Sequence, residues 1–200
     1  MAKIAVIYYS ATGTVHKIAE QIAKGAEDAG AEVRFRRVPE LAPAEAIASN
    51  EGWQQHVTEV NPHVQEATID DLDWADGFAI GSPTRFGLPT SQLKQFLDTT
   101  GGLWAEGKLV GKLATAFTSA STAHGGLEST VLAISNTFYH WGALILPPGY
   151  STPELYAAGT PYGITQHTGD LTEGTTAAAN AQGKRLAEYA AKLAGAPVSA

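Results

Sequence analysis

The chain has 200 residues, carries a formal net charge of -7 and contains no cysteine. The acidic balance, without clusters of lysine or arginine, argues against a nucleic-acid surface, and the lack of cysteine excludes disulfides, thiolate metal sites and cysteine nucleophiles. With 44% hydrophobic residues, no signal peptide and no apolar run long enough to span a membrane, we expect a cytoplasmic globular protein. We expect one domain over residues 1–194, followed by a short frayed tail at 195–200.

A hydroxyl-rich turn joins the first predicted strand to the first predicted helix. The β-branched run at Lys3–Ile7 predicts a buried strand, and apolar residues from Val15 to Ala26 recur every three or four positions, which predicts a helix with Thr14 as its N-cap. Free N–H groups and the positive end of the dipole make a helix start an anion site. Because the turn contains no cation, it predicts either plain helix capping or a site for a single phosphomonoester. The candidate residues are Ser10, Ala11, Thr12, Gly13, Thr14 and Val15.

The remaining elements follow in alternation along the chain. Strands are predicted at Glu32–Arg36, Asp76–Gly81, Leu113–Phe117 and Ala143–Leu146. Helices are predicted at Ala42–Ala48, Ser91–Asp98, Leu127–Phe138 and Glu173–Leu193, with a loop at Gly101–Trp104 and irregular segments at 39–71 and 150–170. Five strands alternating with helices indicate an α/β fold, a parallel sheet covered on both faces.

Three hydroxyl- and glycine-rich loops follow strands one, three and four. Ligands of such sheets bind beyond the carboxyl ends of the strands, so the loops at 82–87 and 118–126 are expected to join the first turn in one site. A phosphate site with aromatic side chains and few titratable groups suits a cofactor that carries its own reactivity, and FMN fits. Arg85 supports charge on the reduced ring, binds the phosphates of a nicotinamide cofactor, or forms a surface ion pair.

Several other kinds of site are set aside. The sequence has no Gly-x-Gly-x-x-Gly, no Gly-x-Ser-x-Gly and no His-x-x-x-His pair, so a dinucleotide fold of that type, a hydrolase elbow and a metal site are not predicted. The run at 102–109 imitates a P-loop, but Leu109 stands where magnesium needs a hydroxyl. A phospho-acceptor domain needs aspartates where Ser10 and Gly81 stand.

The order of the motifs resembles that of the WrbA-type NAD(P)H:quinone oxidoreductases, which were named as supposed tryptophan-repressor-binding proteins. The similarity runs over about residues 1–194. The motifs that carry it are Tyr8-Tyr9-Ser10 with Gly13, Pro83-Thr84-Arg85-Phe86-Gly87, Phe96-Leu97-Asp98, Thr100-Gly101-Gly102-Leu103-Trp104-Ala105, Gly111-Lys112-Leu113, His124-Gly125-Gly126, Pro148-Gly149-Tyr150 and Gly159-Thr160-Pro161-Tyr162-Gly163.

This resemblance implies a flavodoxin-like three-layer sandwich with strand order 2-1-3-4-5, bound FMN, and a homotetramer in which neighbouring subunits help to form each site. It places the FMN phosphate on Ser10–Val15 and assigns the remaining FMN contacts to Pro83, Thr84, Arg85, Phe86, Gly87, Ser119, Ala120, Ser121, Thr122, Ala123, His124, Gly125 and His140. It makes Trp104 and His140 the catalytic residues, and it assigns quinone or nicotinamide binding to Trp104, Tyr150 and Thr12. Family members often carry an aromatic residue where this chain has Thr12, and Gly or Gln where it has Ser121 and Ala123.

The activity implied is a two-electron, ping-pong transfer from NADH or NADPH to FMN and then to a quinone. The same fold and cofactor also serve flavodoxin-type electron carriers, which pass single electrons to a protein partner. A regulatory binding module without catalysis is a third class, and it requires an empty or blocked site. We favour the oxidoreductase, because Trp104 and the insertion at 150–163 indicate a walled pocket for small molecules.

Overall fold

The computed structural model describes residues 1–194. Its strands are β1 (Lys3–Tyr8), β2 (Glu32–Arg37), β3 (Gly77–Pro83), β4 (Leu113–Ala120), β5 (Leu144–Ile145) and β6 (Ile164–His167). Its α-helices are α1 (Thr14–Asp28), α2 (Ala44–Ala48), α3 (Glu51–Gln55), α4 (Ile69–Trp74), α5 (Ser91–Asp98), α6 (Gly101–Ala105), α7 (Leu127–Trp141), α8 (Pro153–Ala157) and α9 (Glu173–Ala194). The predicted tail at 195–200 lies outside the described residues.

The sheet is parallel and runs in the order β2-β1-β3-β4-β5, which confirms the predicted order. The fifth position differs from the prediction because two strands share it. β5 pairs with the start of β4 at Leu113 and Ala114, and β6 pairs with its end from Phe117 to Ala120. The segment between β5 and β6 leaves the sheet and returns, so the stretch predicted as irregular at 150–170 contains α8 and β6.

Alternation along the strands divides the apolar core between the two faces of the sheet. In β1, Ile4 and Val6 pack with α1 and α9 on one face, and Ala5 and Ile7 pack with α4, α5 and α7 on the other. Every residue of β4 is buried, as expected for a central strand covered on both faces. The flavodoxin-like three-layer arrangement is therefore present.

Some predicted boundaries were wrong in ways that matter for the site. β4 continues to Ala120, so Ser119 and Ala120 are strand residues, and β3 continues to Pro83. The predicted loop at Gly101–Trp104 is the short helix α6. Within residues 1–194, none of the helices combines the length and the apolar character needed to cross a lipid bilayer.

Candidate functional site

The turn after β1 leaves the start of α1 uncapped. Gly13, and not Thr14 as predicted, occupies the N-cap position, with a left-handed φ of 96° and no side-chain capping bond. The Gly13 N–H donates to Ser10 Oγ at 3.1 Å, which fixes the curl of the turn. The first N–H groups of a helix lack partners within the helix. Here they face the turn, and no side chain among residues 1–194 caps them, so they can bind an anion.

The loop after β6 closes against this turn, which the sequence did not predict. Thr14 Oγ1 donates to the carbonyl of Gly169 at 3.1 Å and accepts from its N–H at 2.8 Å. Beside Thr14, Lys17 pairs with Asp170 at 2.6 Å. β6 has four residues and most of them are polar, so its sequence contains no apolar run that would predict a strand.

These segments enclose a cleft of about 220 Å³ at the carboxyl edge of the sheet. Most of its lining side chains bear a hydroxyl group. Among the described residues that line the cleft, none is a carboxylate and Arg85 is the one cation. Such a set of neutral donors with one nearby cation fits a single phosphate group. The lining residues are Ser10, Ala11, Thr12, Thr14, Val15, Asn50, Pro83, Arg85, Ser119, Ser121 and Thr168.

The segment at 50–56, for which the sequence predicted no role, covers the turn from outside. Asn50 lines the cleft, and its side chain accepts from Trp53 N–H at 3.0 Å, which caps α3. A Cβ at Gly52 would lie 3.9 Å from Thr12, and a Cβ at Gly13 would lie 3.6 Å from His56 Nδ1. Residues 50–56, in the insertion between β2 and β3, therefore form one wall of the turn after β1.

Two histidines pack behind the turn in a largely apolar setting. His56 is 5% exposed, and its ring meets the ring of His16 edge-on at 5.5 Å. His16 Nδ1 lies 2.5 Å from Tyr8 Oη. Burial lowers the pKa of His56 to about 4, and the neighbouring His16 and Arg37 act in the same direction. Burial also lowers the pKa of His16, against the opposing effect of Glu20.

His56 should make stability depend on pH. In the unfolded chain a histidine titrates near pH ~6.5, whereas folded His56 stays neutral down to a pKa of about 4. Its contribution is therefore fully present above pH ~6.5 and is lost as pH falls toward 4, because only the unfolded chain takes up the proton. As the pH falls from ~6.5 to 4, the free energy of unfolding of the unmodified protein should decrease. In His56→Phe this decrease should be smaller by about 3 kcal/mol, as measured by urea denaturation at each pH.

The exposed His63 supplies the control for this measurement. His63→Asn should leave the pH dependence parallel to that of the unmodified protein. An unchanged slope in His56→Phe would contradict the assignment of a neutral, buried His56.

The loop after β3 holds an exposed aromatic ring in a strained backbone position. Phe86 has a φ of 55°, the only positive φ among the described non-glycine residues, and its side chain is fully exposed. Arg85 and Leu88 pair through both backbone hydrogen bonds, which hold the loop at that angle. Thr84 Oγ1 accepts from Gly87 N–H at 3.1 Å. Strain of this kind persists where the surroundings impose it, and it is frequent at ligand sites.

The loop after β4 lies directly beside the loop after β3. Backbone approach at Gly126 is so close that a Cβ there would lie 2.8 Å from Gly87 Cα. Thr130 Oγ1 on α7 donates to Thr84 Oγ1 at 2.6 Å and so ties the loop after β3 to the helix that follows the loop after β4. Ser119 and Ser121 line the cleft, Ala120 is buried in β4, and the rest of the loop is exposed at its mouth: Thr122, Ala123, His124 and Gly125.

Trp104 and His140 lie together, but at the opposite edge of the sheet. Trp104 Nε1 donates to the carbonyl of His140 at 2.9 Å. His140 is in the last turn of α7, which runs back to the start of β4, where Gly111 N–H donates to the carbonyl of Gly142 at 2.9 Å. The eight residues of β4 separate the two edges by about 23 Å. Within one chain, the structure therefore does not bring Trp104 and His140 to the lining of the cleft.

Tyr150 is also placed away from the cleft lining. It lies in the segment between β5 and β6, where its ring packs against Tyr156 at 5.5 Å. The neighbouring Ser151 and Thr152 face α1 and α9, in an open groove of about 890 Å³. Substrate binding by Tyr150 is not supported by any contact with the cleft.

The model of the NADPH-dependent FMN reductase family matches residues 2–155. The chain belongs to this family. The NAD(P)H dehydrogenase (quinone) of Deinococcus radiodurans is 42% identical to it, over 96% of this chain and 98% of that protein. A protein of the same name from Archaeoglobus fulgidus is 44% identical, over 96% of this chain and 100% of that protein.

Solved structures agree on the fold of this FMN reductase family member. The WrbA-like flavodoxin of Agrobacterium tumefaciens superposes with a TM-score of 0.69 at 24% identity, covering 96% of this chain and 99% of that one. A flavodoxin from the Archaea gives 0.63 at 18% identity, with 94% and 99% coverage. The family match and these relatives confirm the WrbA-type resemblance that the motifs indicated.

Proposed function

We propose that this protein is an FMN-dependent NAD(P)H:quinone oxidoreductase that works in the cytoplasm, where NAD(P)H is available. The observation that carries the proposal is the hydroxyl-lined cleft at the uncapped start of α1, because its donors suit one phosphate and its lining has no described carboxylate. The quinone dehydrogenase relatives at 42% and 44% identity support the substrate class.

The chain offers FMN two kinds of contact. The turn Ser10–Val15 would hold the phosphate through N–H groups and hydroxyls. The loops after β3 and β4, from Pro83 to Gly87 and from Ser119 to Gly125, would hold the flavin ring. The two loops approach closely at Gly87 and Gly126, and Thr130 on α7 bonds Thr84, so they offer a preformed slot rather than one that must be ordered on binding.

Bound FMN would supply the redox chemistry, which is hydride acceptance from NAD(P)H and reduction of the quinone by two electrons and two protons. The chain's own task is then to bind, orient and exclude water. Exposed Phe86 can cover a planar ligand at the mouth, and Arg85 places a positive charge beside the ring loop. A ping-pong order, with nicotinamide and quinone using the same open face in turn, is consistent with one such mouth.

We further propose that the working form is a homotetramer in which Trp104 and His140 of one copy complete the cleft of another. The support is their distance from the cleft of their own chain, together with the exposed apolar surface around them: Trp104 is 57% exposed and Tyr139 is 70% exposed. Light scattering should then report the mass of four chains. In such an assembly Trp104 would line the quinone and nicotinamide pocket, and His140 would be the proton donor or hydrogen-bond partner nearest to the quinone oxygens.

The test is an anaerobic absorbance titration of the protein loaded with FMN. We expect NADH to bleach the visible flavin bands and benzoquinone to restore them. If FMN binds but its bands bleach only slowly with NADH, the protein is instead a flavodoxin-type electron carrier. If the protein binds no FMN, the remaining interpretation is a regulatory binding module without catalysis.

A further inference from the structure

A second cavity adjoins the phosphate cleft, on the far side of Arg85. It measures about 480 Å³, within the range of small-molecule sites, and Arg85 lines both spaces. Its other lining residues are Leu41, Ala42, Pro43, Trp53, Ser91 and Gln92. Most of them belong to the insertion after β2, so the region that the sequence left without a role carries most of this wall.

The wall is held rigidly by a single carboxylate. Glu40 accepts hydrogen bonds from Tyr9 Oη at 2.7 Å, Trp53 Nε1 at 2.8 Å and Gln92 Nε2 at 2.7 Å. It also accepts from the backbone N–H groups of Leu41 and Ala42 at 2.9 Å. Burial disfavours its charge, but these donors outweigh burial and hold the pKa of Glu40 below its usual range. The indole of Trp53 is thereby fixed in place before any ligand arrives.

Arg85 is a cation without a carboxylate partner among residues 1–194. The ion pairs of the described chain involve His16, lysines and other arginines, and the Arg85 guanidinium donates only to the carbonyl of Thr84, at 3.0 Å. Its position between the cleft and the cavity suits an anion that crosses from one to the other. A guanidinium binds phosphate oxygens through paired donors.

We infer that this cavity, walled by Trp53 and bordered by Arg85, binds the adenosine monophosphate half of the nicotinamide cofactor. The inference deepens the proposed function and rests on it. The base would lie on the fixed indole among apolar neighbours, and the diphosphate would pass Arg85, so that the nicotinamide reaches the loops after β3 and β4. A neutral quinone has no negative charge to pair with Arg85, whereas the dinucleotide has a diphosphate. The dinucleotide is therefore the better occupant.

The same lining predicts which dinucleotide is used. An additional phosphate on the adenosine ribose needs a second cation, and Arg85 is the sole cationic side chain among the described residues around the cavity. We therefore expect kcat/KM for NADH to be at least as high as that for NADPH.

The kinetic test compares NADH with reduced nicotinamide mononucleotide, which lacks the adenosine half. In the loaded protein NADH should be the better donor. Stacking of a base on an aromatic ring is worth about 1–3 kcal/mol, so Trp53→Ala should reduce the ratio of the two kcat/KM values about tenfold. Trp53→Phe, which retains an aromatic face but loses the bond to Glu40, should retain most of the ratio. Tyr189→Ala, an aromatic truncation on α9, is the control and should not alter it.

A binding test separates this inference from the proposed function. ADP-ribose has no redox chemistry, so its binding can be followed by calorimetry whatever the protein catalyses. We expect ADP-ribose to bind, and Trp53→Ala and Ala42→Trp, which fills the cavity, each to weaken it about tenfold. Normal NADH oxidation with no ADP-ribose binding, or with binding that neither variant changes, would overturn the cavity assignment alone. Binding that responds to both variants in a protein that oxidises no NADH would overturn the proposed function and uphold the cavity.

Discussion

Replacing Thr12 by aspartate is expected to weaken FMN binding about a hundredfold. Thr12 lies in the turn between Ser10 and the start of α1, on the lining of the cleft where the phosphate is proposed to bind. Two charges 4 Å apart repel by about 4 kcal/mol at the effective dielectric constant of a protein surface. Partial screening of the exposed Thr12 side chain reduces this, and a hundredfold loss corresponds to about 3 kcal/mol. The affinity can be measured by quenching of flavin fluorescence.

The matched control is Thr12→Asn, which has nearly the shape of aspartate without its charge. It should weaken FMN binding only a few-fold. Riboflavin, which lacks the phosphate, gives a second control, because its affinity should differ little between the two variants. Equal losses of FMN and riboflavin affinity in Thr12→Asp would place the phosphate elsewhere.

Replacing Gly183 by alanine is expected to lower the free energy of unfolding by about 3 kcal/mol. A Cβ at Gly183 on α9 would lie 1.9 Å from the carbonyl oxygen of Ile22 on α1, and a Cβ at Gly25 on α1 would lie 2.0 Å from that of Asn180 on α9. Both neighbours are backbone, so no side chain can rotate out of the way and the helices must separate. Alanine gains about 1 kcal/mol in helix propensity, but overpacking of the core costs more.

Gly174, in the first turn of the same helix, is the control for this substitution. A Cβ there would meet only Thr172 Oγ1, at 3.8 Å. Gly174→Ala should therefore leave stability unchanged or raise it slightly, as followed by urea denaturation. If Gly183→Ala were as stable as Gly174→Ala, the close crossing of α1 and α9 would be wrong.

The fold was largely predictable because its signals are local. The apolar run of β1 and the helical spacing from Val15 to Ala26 report burial directly. The division of the fifth sheet position between β5 and β6 was not predictable. β5 has two residues, and β6 reads Ile164-Thr-Gln-His167, so its pairing with β4 decides its structure rather than its own propensity.

The parts of the candidate site that follow directly after parallel strands were predictable from the sequence. The parts contributed by segments distant in the sequence were not. The turn after β1 and the loops after β3 and β4 share an edge by topology alone. Asn50 and Thr168 reach the cleft only through the tertiary placement of an insertion and of β6. Trp104 and His140 show the opposite case, since the motifs marked them as site residues and a single chain holds them at the far edge.

The two hydrogen bonds between Thr14 and Gly169 join residues that are 155 positions apart in the chain. During synthesis the phosphate turn emerges among the first residues, but its last wall emerges only after most of the chain. Contacts of such long sequence separation form late in folding, because the loop they close must be ordered first. A nascent chain therefore lacks one wall of the proposed phosphate site until Gly169 has been synthesised, and we expect FMN to bind tightly only after the chain is complete.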